Sequence, residues 1–122
     1  WIQKRQKIFS KYSTNLSNLP IILPKKFKKF ISSNHLYVIQ TQERSGNERN
    51  KLYNFLRKNK VEPNVHYIPI HTHPFYKKLG FKSFNFPNAN LYYKRCLSIP
   101  MYAGLKENDQ NKIIRLIKRF YK

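Results

Sequence analysis

Residues 65–76 read VHYIPIHTHPFY: three histidines, two prolines and three aromatics in one short apolar run. If the run is a strand, the chain alternates strands with helices and builds a small layered sheet. If it is a metal site or a pocket wall, the order of elements changes and the chain has chemistry of its own. The β-branched and aromatic residues of VHYIPI predict a strand. Pro69 cannot donate to a ladder, so that strand is expected at a sheet edge or to end there.

The flanking sequence completes the pattern. Phe9, Tyr12, Leu16 and Leu19 recur at helical spacing and predict a helix over residues 1–19. Pro20 and Pro24 bracket a short extended piece, PIILP. The run KKFKK at 25–29 reads as a solvated turn or edge, with a phosphate-binding patch as the minority reading. HLYVIQ, residues 35–40, predicts a strand. Ser45 and Glu48 have the spacing of a capping box. The helix after them carries Leu52, Phe55 and Leu56 and is expected to stop near Asn59 in left-handed geometry. Gly80 closes a turn after FYKKL. Pro87 suits a first helical position, with Ala89, Tyr92, Tyr93 and Cys96 as one apolar stripe. LSIP ending at Pro100 predicts a third strand. The last helix has Glu107 and Asp109 in its first turn and Lys118, Arg119 and Lys122 in its last, matching the helix dipole. Its apolar face is Ile113, Leu116, Ile117 and Phe120. The predicted class is α+β: a small sheet covered by helices.

Composition sets limits. The 122 residues suit one small domain, and 40% hydrophobic residues can form a real core. Lys and Arg total 25 against 5 Asp and Glu, a net charge of +20 that attracts phosphates. Lys-, Asn- and Ile-rich usage also follows from AT-rich coding sequence, so charge alone does not identify a partner. A stand-alone basic nucleic-acid-binding module is the rival reading. It lacks any Gly-aromatic strand motif, zinc-finger spacing or basic heptad region. The single Cys96 rules out a disulfide framework and is expected as a buried apolar residue in a cytoplasmic protein. No apolar run is long enough to span a membrane. A first residue of Trp, inside a helical pattern, reads as a piece of a longer polypeptide.

His71 and His73 are two apart, whereas His66 falls on the opposite strand face, and three of the five carboxylates sit at or near predicted helix starts. No metal site is expected. Paired carboxylates, a G-x-G-x-x-G turn and a Walker loop are all missing from the sequence.

In order, HLYVIQ, VHYIPIHTHPFY, FPNANLYYKRCLSIPMYAGL and NDQNKIIRLIKRF resemble the C-terminal small domain of the DegT/StrS-like sugar aminotransferases, which use pyridoxal phosphate (PLP). VHYIPIH, FPNA and LSIPMYAGL look most like the transaminases of the pseudaminic acid pathway. Those move an amino group from glutamate to C4 of a UDP-linked 4-keto-6-deoxy sugar. The resemblance implies that residues 1–24 are a connecting helix and link from a large domain, and that 25–122 form the small domain. It implies a homodimer. It also implies that His66, Tyr67 and His71 line or shape the substrate pocket, where they could bond sugar hydroxyls or nucleotide phosphates. Equally, His66 and Tyr67 could simply pack the sheet. Lys60 stands where the family carries Gly, Lys106 where it carries a Thr or Ser N-cap, and His73 where a polar residue such as Gln is common. The Schiff-base lysine and phosphate-binding segments belong to the large domain. No catalytic residue is therefore expected in this chain, PLP would be bound by the missing domain, and the chain alone would be inactive.

Overall fold

The computed structural model describes residues 1–26 and 29–122 and contains five helices and three short strands, of which the first, second and last helices and the sheet form the core. The elements are α1 (Ile2–Leu16), β1 (Ile21–Ile22), β2 (Tyr37–Thr41), α2 (Asn47–Lys58), α3 (Pro74–Lys78), α4 (Pro87–Arg95), β3 (Cys96–Ile99) and α5 (Glu107–Phe120). The sheet is antiparallel throughout, in the order β1-β2-β3. The expected α+β class is what forms. The expectation for residues 25–29 includes Phe27 and Lys28, which lie outside the described residues.

Register decides which side chains meet the helices. Tyr37 pairs with Ile99 and Ile39 with Leu97, and all four are buried in the core that α1, α2 and α5 share. Because strand side chains alternate, Val38, Gln40, Cys96 and Ser98 point to the opposite face. The helices dock by apolar stripes: Ile8, Phe9, Tyr12 and Leu16 of α1, Leu52 and Leu56 of α2, and Ile113, Ile114, Leu116 and Ile117 of α5. Polar links fix their mutual positions. Tyr12 donates to the Pro100 carbonyl at 3.0 Å, and the buried Gln110 amide donates to the Ile8 carbonyl at 2.8 Å. Lys11 pairs with Glu107 at 2.6 Å. α1 is thus part of the same core as the sheet.

Four local expectations are corrected. VHYIPI is not a strand. Asn64 makes a single bridge to Ser98, then Val65 N–H turns to the Asn64 side chain at 2.7 Å, and a 3₁₀ turn follows at Ile70–Thr72. Tyr67, Ile68 and Ile70 are exposed, so the apolar run is not built to enter this core. The capping box does not form either. The Glu43 carboxylate accepts from the N–H groups of Ser45 (2.7 Å), Gly46 (3.1 Å) and Glu48 (3.1 Å), while Ser45 Oγ accepts from Asn47. At the other end of α2, Asn59 is not left-handed; Lys60 is, with φ of 59°. Its N–H bonds the Arg57 carbonyl and that of Val61 bonds the Leu56 carbonyl, closing the helix in the way a glycine ordinarily does. Finally, Cys96 begins β3 rather than ending a helix stripe, and Ala89 and Tyr92 of α4 are exposed. The N-cap of α5, Lys106, has no side-chain cap bond, as its residue type implies.

Candidate functional site

The second face of the sheet carries Cys96 and Ser98, and the 64–67 segment lies against it. His66 Nδ1 is 2.8 Å from Ser98 Oγ, and the Cys96 thiol approaches the His66 carbonyl at 3.8 Å. Residues 96 and 98 share a face, so together they hold both the ring and the backbone of His66. The His66–Tyr67 peptide is cis, and the two rings meet edge-on at 4.6 Å. His66 is half-buried, while Tyr67 is 70% exposed.

His71 is placed differently. It is only 8% exposed, its ring stacks on Phe86 at 4.5 Å, and Nε2 lies 2.9 Å from Asn90 Oδ1. The Asn90 amide in turn donates to the Ser83 carbonyl at 2.6 Å. These contacts tie the turn at 70–72 to the start of α4 and to the 83–85 turn. Three of the residues singled out from sequence therefore split: His66 and Tyr67 are neighbours, and His71 braces the segment behind them. His73 is exposed. Among the described residues no three His, Cys, Asp or Glu side chains come together as a metal-binding group.

Residues 67–84 present a broad aromatic and aliphatic surface. Tyr67, Ile68, Ile70, Phe75, Leu79 and Phe84 are all more than half exposed. A surface of this size and composition is unusual for a free-standing chain. The sequence had shown these residues as apolar; only the loss of the strand puts them outside. Ser98 and Cys96 were missed as site residues because their role depends on strand register. Burial pushes the Cys96 thiol up, with Arg49 opposing weakly, so it is a poor nucleophile. A separate cleft of about 390 Å³, lined by residues of α1, by 24–26 and by residues between 30 and 36, carries none of these side chains.

Residues 1–118 match the DegT/DnrJ/EryC1/StrS aminotransferase family. The chain belongs to that family. It is 34% identical over 124 aligned residues to the spore coat polysaccharide biosynthesis protein SpsC of Bacillus subtilis, covering 98% of this chain and 32% of that protein. Its structure superposes on Spr1654 of Streptococcus pneumoniae, described as a sugar aminotransferase and solved in apo-, PMP- and PLP-forms. For the apo-form the TM-score is 0.92 at 29% identity, covering 98% of this chain and 30% of that one. Helicobacter pylori PseC shares the fold, with a TM-score of 0.88 at 24% identity and cover of 98% and 32%. The chain thus spans about a third of the length of the curated relatives that it matches.

The family uses PLP, and this chain's residues do not fit that cofactor by themselves. PLP chemistry needs a lysine in a sheltered cleft, phosphate donors and an acidic partner for the pyridine nitrogen. Among the described residues no lysine is buried. Glu107 and Glu62 are committed to ion pairs with Lys11 and Arg57, and Glu43 to the start of α2. No described helix is long and apolar enough to cross a membrane.

Proposed function

We propose that this chain is the C-terminal small domain of a PLP-dependent sugar aminotransferase, with residues 1–24 leading in from the PLP-binding part and packing α1 into the core of the 25–122 domain. The observation that carries this reading is the superposition of 98% of the chain on 30% of Spr1654 at a TM-score of 0.92. The exposed 67–84 surface supports it, because such a surface calls for a covering partner. The PLP-binding remainder, in the same polypeptide or as a separate one, is that partner, and the complete enzyme is a cytoplasmic homodimer.

The reaction proposed is amino transfer from glutamate to C4 of a UDP-linked 4-keto-6-deoxy sugar. Its support is the motif order of the sequence, together with the similarity to SpsC, a spore coat polysaccharide biosynthesis protein. In this reading His66 and Tyr67 face the sugar nucleotide and His71 shapes the segment that presents them. No residue of this chain performs the chemistry, so the chain alone does not transaminate.

The test uses the complete enzyme with glutamate and the UDP-4-keto sugar, following 2-oxoglutarate. Activity is expected only when the PLP-binding part is present. Tyr67→Ala should raise KM for the sugar nucleotide several-fold while leaving stability within about 0.5 kcal/mol, since the side chain is exposed. Amino transfer by the 122-residue chain alone, or an unchanged KM in the variant, would contradict the reading.

A further inference from the structure

We infer that Ser98 is a positioning residue for His66: it holds the ring in the tautomer that carries its proton on Nε2, so that His66 offers a hydrogen-bond donor to an acceptor oxygen of the substrate. The proton of the Ser98 hydroxyl decides the tautomer. Ser98 is 4% exposed, and both its backbone groups are used, its N–H and carbonyl bonding Asn64 at 2.7 and 2.9 Å. Among the described residues the hydroxyl has one hydrogen-bond partner, His66 Nδ1 at 2.8 Å.

A hydroxyl has one proton to donate and lone pairs that tolerate being idle. A buried donor left without an acceptor costs about 1–3 kcal/mol, so the proton goes to the acceptor in reach. Nδ1 must then be the bare nitrogen, and the neutral ring keeps its proton on Nε2. That nitrogen has no hydrogen-bond partner among the described residues. The Cys96 contact to the His66 carbonyl and the Asn64 bridge hold the backbone of this segment against β3, within reach of the Ser98 hydroxyl. The side chain is thereby fixed as a donor and selects an oxygen acceptor, such as a phosphoryl, carbonyl or hydroxyl oxygen, over a donor group.

The substrate half of this inference rests on the proposed function, but the tautomer does not, and it is measured without substrate. Two-bond ¹⁵N–¹H correlation of the histidine-labelled complete enzyme without sugar nucleotide, at about pH 9 where imidazole is neutral, identifies the bare nitrogen of His66. Wild type is expected to show the Nε2–H form alone. Ser98→Ala should revert to the mixture of tautomers that a free histidine side chain shows, and Ser98→Thr, which keeps the hydroxyl, should retain the preference. A bare Nε2 in wild type, or an unchanged tautomer ratio in Ser98→Ala, overturns the role of Ser98. If Ser98→Ala does not fold, the wild type and Ser98→Thr decide the matter. In the complete enzyme Ser98→Ala should raise KM for the sugar nucleotide several-fold. An unchanged KM beside a lost tautomer preference overturns the substrate half alone.

Discussion

Two residues at opposite ends of α2 show how single side chains set local structure. Glu43 accepts hydrogen bonds from Ser45, Gly46 and Glu48, and the interactions with Ser45 and the backbone lower its carboxyl from 4.5 to about 2. A carboxyl depressed on folding stabilises the fold above its unfolded value and loses that contribution as pH falls through the folded one. The contribution of Glu43 should therefore fade between pH 4.5 and about 2. Glu43→Gln should lower the thermal midpoint at pH 7 and flatten the pH dependence in that window; an unchanged acid profile would contradict the cap. Lys60 sits at φ of 59°. An L-residue there costs roughly 1–2 kcal/mol, while glycine loses some of the gain to its unfolded freedom, about 0.5–1 kcal/mol. Lys60→Gly should stabilise the chain by on the order of 0.5 kcal/mol in urea unfolding, and a destabilised variant would mean that the Lys60 stem contributes packing. The Glu43 cap was hard to read because a box at Ser45 and Glu48 competed for the same amides. The Lys60 conformation was hard to read because lysine carries no signal for the left-handed region.

At the scale of elements, the periodic helices were legible and the 65–90 segment was not. α1, α2 and α5 each carry an apolar stripe that one core explains, so spacing alone located them. VHYIPI has the composition of a strand, but composition does not say whether a neighbouring edge is there to pair with. Only Asn64 finds one. Beyond it the segment is held by side chains: His66 on Ser98, and His71 on Asn90 and Phe86. His71→Ala should release the 70–86 turns from α4. Limited proteolysis should then cut within residues 72–86 several-fold faster, with cleavage of α1 and α5 unchanged. Equal cleavage in both proteins would show that the aromatic contacts around Tyr76, Phe81 and Phe86 suffice without it. The histidines were visible in the sequence as a group. Placing His66 required the register of β3, and placing His71 required its contacts with Phe86 and Asn90 at the start of α4.

For the whole molecule, the two faces of the sheet have different assignments. One is closed by α1, α2 and α5 and supplies stability. The other carries the His66 segment and continues into the open surface at 67–84, which the chain does not cover by itself. The described ion pairs, Lys11–Glu107 and Arg57–Glu62, use only two of the basic residues, so most of the +20 charge is solvated. The central claim is that a PLP-binding part covers that open surface. The most direct measurement is the mass and visible absorption of the native protein carrying this sequence, purified with an antibody to it. A polypeptide about three times 14.8 kDa, the ratio implied by 32% cover of SpsC, is predicted, with the absorption of bound PLP. A 14.8 kDa chain that purifies without PLP and without a PLP-binding partner would contradict the account.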